Sequence, residues 1–467
     1  MEGTARPRNS SGAWVMSIDA PDRPEATGDG GRIRVLNAVV ATPEARGGAI
    51  RAGLRLGDAL ADLGDEEPSS DPSGSDPTPI AVDNAKMRGE ADGELVAELA
   101  LDHEVHPLPS RTALRDAANR VVDFDGNYAN ALVWTRAETP RPLAEYDLVH
   151  LHNPHPIAGL ASLAVAARRA GVPYVVTTHG VGKLPDLPAA MGMSRPTRTA
   201  FERGVLGPYW RVLRGAEHLF ALSATDRDRI HRRLPGQSVT VVPNGADPIP
   251  PDEAAGERVE ERLGIDPSDH LLFFAGDLVE SKGIDDLLAA HRLLEGGVRL
   301  VVAGRDRSGY ADRLRSEEGV AYAGYVDRAT LLDLYRRADV FVFPTRTDVF
   351  PLSVLEAMAA GTPVVASAVG GIPDQLGAPG ADGTAGGTGG EEVSAGVLVP
   401  PRAPERVAAA VGELLEDPER RDGLGRRARR RVEREYAWPA VAERVADEYR
   451  RILWCPDLSA SSVDRST

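Results

Sequence analysis

Apolar residues in this chain gather into short runs, and between the runs lie longer stretches whose apolar positions recur every three or four residues. A short run bounded by turn residues reads as a strand buried on both faces, and the longer period as an amphipathic helix. RIRVLNAVVAT (32–42) is the first such strand. A Gly-bearing loop from Pro43 to Gly48 follows, then a helical pattern from Ala49 to Leu63. ELVAELALD and HEVHPLP read as a helix and a strand. YDLVHLHNP (146–154) is a strand with a polar end, IAGLASLAVAARRAG a helix closed by Gly171, and VPYVVTTHG a strand ending at His179. AEHLFALS and SVTVVPNGAD add two short strands.

The alternation then restarts. HLLFFAGDLVESKGIDDLLAAHRLLEGG reads as strand, Gly turn and helix, and RLVVAGR and VAYAGYV are strands. ATLLDLYRRAD is a helix leading into ADVFVFPT (338–345). Next comes DVFPLSVLEAMAAGTPVVAS (348–367), a loop, a helix, a Gly–Thr–Pro break and another apolar run. That order is a βαβ unit of a parallel sheet. It sets Asp348 in a loop and Glu356 inside a helix, both facing the carboxyl end of the strands, where open α/β sheets bind ligands.

Two such series predict two doubly wound α/β domains, residues 32–250 and 251–437, joined by the acidic, Pro-rich DPIPPDEAAGE (247–257). A helix over 438–454 closes the chain. Residues 1–31, the insertion 65–79, the Gly-rich loop 377–396 and the tail 455–467 lack apolar periodicity and are expected to be disordered or flexible.

Composition narrows the classes. The net charge is −16, and Lys86, Lys183 and Lys282 are the only lysines. An acidic, Arg-for-Lys balance fits a salt-rich cytoplasm or high-GC codon usage, and it disfavours nucleic-acid binding. Cys455 stands alone, so neither an intrachain disulfide nor a cysteine metal cage can form. The N-terminus lacks the apolar core of a signal peptide, and no apolar run is long enough for a transmembrane helix. The expected location is cytoplasmic, with peripheral contact on the inner membrane face an option. RPTRTAFERGVLGPYWRVLRG (195–215) mixes five arginines with aromatics, so it could rest on an anionic membrane or simply cover the first domain. RRDGLGRRARRRVERE (420–435) reads as a solvated helix face. His150, His152 and His155 carry no partner at ligand spacing, so no metal site is assigned.

In the second half, GDLVESKGIDDLL, YAGYVDRATLLDLYRRADVFVFPT, DVFPLSVLEAMAAGTPVVAS and VGGIPD follow one another. In the first half, ARGGA, HLHNPHP, GVPYVVTTHG and ALSATDRDRI…VVPNGAD do the same. With these motifs the chain resembles the retaining GT-B glycosyltransferases of family GT4 over roughly residues 32–453. The resemblance implies two Rossmann-like domains facing across a cleft, a nucleotide diphosphate sugar on the C-terminal side, and a glycan, lipid or small-molecule acceptor on the N-terminal side. It implies no cofactor and no metal, with positive side chains and helix N-termini carrying the phosphate charge.

By the same resemblance Glu356 accepts hydrogen bonds from the ribose hydroxyls, and Asp348 stands near the transferred sugar in place of the family's usual glutamate. Lys282 contacts the diphosphate, Gly47 and Gly48 let the backbone approach the donor, and His179 lies beside the transferred sugar. Phe350, Leu352 and Ser353 complete the donor loop, with the Leu352 and Ser353 amides preceding a helix. Asp277 stands where the family usually has an arginine, and Arg305 from the neighbouring loop is the candidate substitute. Asp348, Glu356 and His179 are therefore the candidate catalytic groups, acting by position and charge, with no protein nucleophile. A sugar-nucleotide epimerase, a phosphorylase and a non-catalytic nucleotide-sugar binder remain as alternatives.

Overall fold

The computed structural model describes residues 33–41, 48–65, 80–88, 105–107, 139, 141–152, 157–181, 193–378 and 391–454. Residues 1–31, most of the 65–79 insertion, the tail 455–467, Gly47 and His155 lie outside them.

The first sheet has seven parallel strands: β1 (Ile33–Ala41), β2 (Ile80–Arg88), β3 (Val105–Pro107), β4 (Leu148–His152), β5 (Tyr174–Thr177), β6 (His218–Ala221) and β7 (Val239–Val241). Their spatial order is β3-β2-β1-β4-β5-β6-β7. Connections run outward from β1 in both directions, so the reversal lies between β1 and β4, as a doubly wound sheet requires. β2 was not anticipated. IAVDNAKMR holds only three consecutive apolar residues before turning mixed, next to a low-complexity stretch, which hides a strand from an apolar-run reading.

The second sheet holds β8 (His270–Ala275), β9 (Val298–Ala303), β10 (Val320–Gly324), β11 (Val340–Phe343), β12 (Val364–Ser367), β13 (Glu391–Val393) and β14 (Gly396–Val399), in the order β10-β9-β8-β11-β12-β14-β13. The βαβ unit anticipated at 338–367 is present: β11 and β12 pair in parallel, Phe341 opposite Val364, with the Leu352–Ala360 helix between them. The flexible-loop expectation for 377–396 is corrected at its end. Glu391–Val393 pairs antiparallel with Gly396–Val399, which continues the parallel sheet beside β12. Gly396 permits this because a Cβ there would stand 2.8 Å from the Val364 carbonyl oxygen.

Each sheet has its own apolar core. The Trp438–Trp454 helix belongs by packing to the first. Its Trp438, Val441, Ala442, Val445, Ala446 and Tyr449 lie on one stripe and bury against Val35, Leu60 and Phe220. The chain therefore crosses between the sheets twice, near Ala246 and Ala437. The crossings bridge each other through the Ala246 N–H and the Tyr436 carbonyl at 2.8 Å. Gly245 makes this fit, since a Cβ there would meet the Trp438 ring at 2.5 Å.

The arginine-rich 420–435 stretch departs from the solvated-face expectation. Arg429 donates to the Ala360 carbonyl at the end of the Leu352–Ala360 helix. Arg431 donates to the Gln375 and Asp374 carbonyls at 3.0 and 3.1 Å. These guanidiniums occupy helix C-terminal carbonyls, the orphan acceptors that favour cations. In the 195–215 stretch, Tyr209, Val212 and Leu213 bury on the first domain while Arg195 and Arg198 face outward. Among the described residues no helix is long and apolar enough to cross a membrane.

Candidate functional site

Where the carboxyl ends of the two sheets face each other lies a cavity of about 400 Å³. Gly48, His179, Lys282, Arg305, Asp348, Phe350, Leu352, Ser353 and Glu356 all line it. So do Arg51, Asn244, Asp277, Arg307, Tyr325, Arg328 and Tyr335, to which the sequence had assigned no binding role. Residues from both domains meet at close range on its rim. A Cβ on Gly180 would stand 2.3 Å from Val349, and one on Gly48 would stand 3.4 Å from Leu352.

The C-terminal wall is built from acid–base pairs. Glu356 is held on both oxygens, by Arg328 on one and by the Tyr335 hydroxyl on the other at 3.0 Å. Burial first, then the Glu356 charge, pushes the Tyr335 phenol well above its usual range, so it stays a donor. Glu356 projects from the Leu352–Ala360 helix, which is buried from Val354 onward on either side of it and capped by Gly361 in the left-handed conformation. Lys282 forms an ion pair with Asp348, and its ammonium also lies 5.3 Å from the Phe343 ring centroid. Asp277 is matched by Arg307, whose Nε donates to it at 2.9 Å. Asp277 thus carries its own cation, two residues beyond the anticipated Arg305. Arg305 itself stacks over the Tyr325 ring at 4.4 Å.

Backbone contacts fix these groups. The Leu278 N–H donates to the Arg305 carbonyl at 2.8 Å, zipping the loops after β8 and β9 together. A Cβ on Gly304 would fall 1.8 Å from the Gly276 carbonyl oxygen, so only glycine fits there. The Asn244 side chain donates to the Phe350 carbonyl at 3.1 Å, and Gln375 to the Pro351 carbonyl at 2.9 Å. Phe350 borders the cavity while its ring packs on Tyr436. The helix N-terminus at Leu352 therefore opens into the cavity, with its amides and positive dipole end available to an anion.

The N-terminal wall carries little charge. His179 has a positive φ of 43°, a conformation uncommon outside glycine. The loop that holds it is tied down by Asp226, which accepts from the Thr178 hydroxyl at 2.9 Å and the Val181 N–H at 3.3 Å. Burial raises the Asp226 carboxyl above its ordinary range, opposed by these hydrogen bonds. Behind His179 stand two buried imidazoles. His152 lies 5.8 Å from His179 and 3.9 Å from His150, centroid to centroid. His150 sits 2.5 Å from the Tyr449 hydroxyl of the last helix and 2.7 Å from the Thr177 hydroxyl. Burial, then the neighbouring histidines, lowers His150 to about 3 and puts His152 well below its usual value, so both are neutral at pH 7. Arg51 is the cationic exception on this wall. Its Nη2 lies 3.4 Å from the Tyr325 hydroxyl across the cleft. Among the described residues no three His, Cys, Asp or Glu side chains are grouped to hold a metal ion.

Comparison with known proteins agrees with this layout. Residues 257–431 match the family described as glycosyl transferases group 1, and residues 88–245 match the glycosyl transferase 4-like domain. The chain is 34% identical to a D-inositol 3-phosphate glycosyltransferase of Xylanimonas cellulosilytica over 336 residues, covering 67% of this chain and 74% of that one. A D-inositol 3-phosphate glycosyltransferase of Kineococcus radiotolerans is also 34% identical, over 68% of this chain and 74% of the relative. Among solved structures, sucrose-phosphate synthase from Thermosynechococcus elongatus aligns with a TM-score of 0.62 at 20% identity, over 90% of this chain and 99% of that chain. Anabaena HepE in complex with UDP-glucose aligns with a TM-score of 0.62 at 16% identity, over 90% and 100% of the two chains. These structural likenesses are likenesses of fold, and the fold is the two-domain α/β GT-B arrangement.

Proposed function

Because this chain belongs to the glycosyl transferases group 1 family and is a glycosyltransferase, we propose that it moves a hexosyl unit, with retained configuration, from a nucleotide diphosphate sugar to an acceptor hydroxyl. The observation that carries the reading is the division of the cleft. Paired charges and a helix N-terminus form one wall, and glycine, the His179 imidazole and a single cation, Arg51, form the other. A nucleotide diphosphate needs the first kind of surface and an uncharged sugar the second.

In this reading Glu356 takes the ribose diol, a pair of hydroxyls that suits two carboxylate oxygens. Lys282, Arg307 and the Leu352 and Ser353 amides meet the diphosphate, with Arg305 at the edge. Asp348 and His179 flank the sugar. The bond from the anomeric carbon to the diphosphate breaks, and the diphosphate leaves with the bonding electrons. The acceptor oxygen attacks the same face of the oxocarbenium-like sugar, and its proton passes to the departing phosphate oxygen. Cations held in place before reaction stabilise the leaving charge without reorganising. No metal enters this scheme.

D-inositol 3-phosphate, the acceptor class named for the relatives, is the first acceptor to try. A lipid acceptor at an anionic membrane would instead engage the outward-facing arginines of the 195–214 stretch. The test is to incubate the protein with UDP-, GDP- and ADP-sugars and each acceptor, then read the anomeric configuration of the product by NMR. A product with retained configuration is expected. An isomerised nucleotide sugar with no transferred product supports the epimerase alternative. Donor binding without transfer or hydrolysis at any salt concentration supports the binder.

A further inference from the structure

The pair between Lys282 and Asp348 poses a problem for any anionic ligand. Lys282 is one of the cations that the reading above sets against the diphosphate, yet its ammonium is already matched by a carboxylate. Both partners are only partly exposed, at 20% and 14% of their side-chain surface, so water screens the contact weakly. Both backbones are also pinned. Gly283 follows Lys282 in the left-handed conformation, where a Cβ would fall 2.0 Å from the Pro344 carbonyl oxygen. Gly370 does the same against the Asp348 carbonyl oxygen, again at 2.0 Å. The loops cannot simply part, so an incoming anion must compete for the ammonium by side-chain rotation.

We propose that Asp348 is an internal counterion of Lys282 which the donor's diphosphate displaces, and that the displaced carboxylate then turns to accept hydroxyls of the transferred sugar. This inference rests on the nucleotide-sugar reading above. The exchange balances in charge: the ammonium trades a carboxylate for phosphate oxygens. The carboxylate keeps the Val349 N–H, which already donates to its Oδ1 at 2.9 Å, and gains sugar hydroxyls as donors. An empty cleft thereby carries no uncompensated buried cation, and the carboxylate faces the sugar only when a diphosphate is present. Asp348 would be a specificity-determining group because a nucleotide without a sugar displaces it from the ammonium and brings no hydroxyls in exchange. The intact donor would therefore be favoured over the spent nucleoside diphosphate.

The consequence has an unusual sign. Removing a group from the site should tighten one of its ligands. UDP, GDP, ADP and inorganic pyrophosphate are titrated calorimetrically into the wild type, Asp348→Asn, Lys282→Ala and the double variant. Asp348→Asn is expected to bind the nucleoside diphosphate and pyrophosphate about tenfold tighter, since the ammonium loses its competitor. Its kcat for transfer should fall at least about tenfold. The double variant should bind like Lys282→Ala, because the gain passes through the ammonium. A merely structural role for the pair predicts the reverse, since a loosened loop weakens binding. Unchanged or weaker binding in a folded Asp348→Asn protein, checked by its melting temperature, overturns the proposal. Tighter pyrophosphate binding with no nucleotide binding keeps the exchange and sinks the donor reading. Failure of every probe on both wild type and variant overturns both.

Discussion

The two walls of the cleft come from sheets whose first five strands share one parallel order, yet they are furnished in opposite ways. The C-terminal wall holds three acid–base pairs, Asp277 with Arg307, Asp348 with Lys282 and Glu356 with Arg328. The N-terminal wall offers Gly48, Gly180, His179 and one cation, Arg51, with two imidazoles held neutral by burial, His150 and His152, behind it. A sheet's fold therefore decides where a ligand sits, and the residues at its strand ends decide which part of the ligand it meets. Paired charges hold themselves ready for a polyanion at low cost when the cleft is empty. A wall with a single cation and no acid can approach a sugar and acceptor with little competition for phosphate.

The largest break in that contrast is Glu356→Ala. It removes a charged hydrogen-bond acceptor and leaves Arg328 half-buried without its partner. A loss of about 100-fold in kcat/KM is expected, most of it in donor KM, which steady-state kinetics would read. Full activity with unchanged donor affinity would remove Glu356 from the ribose.

Asp226→Ala tests the N-terminal wall through its support. Thr178 and Val181 lose their shared acceptor, so the His179 loop should loosen. Melting should report a destabilisation of about 1–3 kcal/mol, and transfer should drop with little change in nucleoside diphosphate affinity. Equal loss of nucleotide affinity would blur the division between the walls.

A pH titration of stability sharpens the same point. His150 has a folded-state value of about 3 against an ordinary 6.5, and His152 is lowered in the same direction. Their contribution to stability is fully present above pH 6.5 and is lost as pH falls from there towards 3. The slope should reach about 1.4 kcal/mol per pH unit for each proton taken up on unfolding. Denaturant melts across that window would show it, and His150→Gln should flatten the slope. Tyr449→Phe is the smallest change, costing about 1 kcal/mol for one hydrogen bond, because the His150–Tyr449 contact ties the last helix to the first sheet. A Tyr449→Phe protein as stable as wild type would show that apolar packing alone docks that helix.

Strand periodicity made much of the architecture legible, and the resemblance gathered Lys282, Asp348, Glu356 and His179 at what proves to be one cavity. What stayed hidden had physical causes. Ile80–Arg88 has an apolar run of only three residues, and the Glu391–Val393 strand follows a glycine-rich stretch. Arg307 finds Asp277 because β9 lies beside β8, and Arg328 reaches Glu356 although β9 and β8 stand between β10 and β11, arrangements that no local pattern encodes. Arg429 and Arg431 look like solvated charge in a run of arginines until helix packing brings carbonyl oxygens to them. Asp226 follows Ser223 as an ordinary helix-capping residue, and its hold on Thr178 appears only in three dimensions.

The division between the walls can be tested most directly by titrating UDP, GDP and ADP against the wild type, Glu356→Ala and His179→Ala. One nucleotide should bind the wild type. Its affinity should fall at least about tenfold in Glu356→Ala and stay within experimental error in His179→Ala. A nucleotide whose affinity depends on His179 and not on Glu356, or no nucleotide binding at all, would contradict the account.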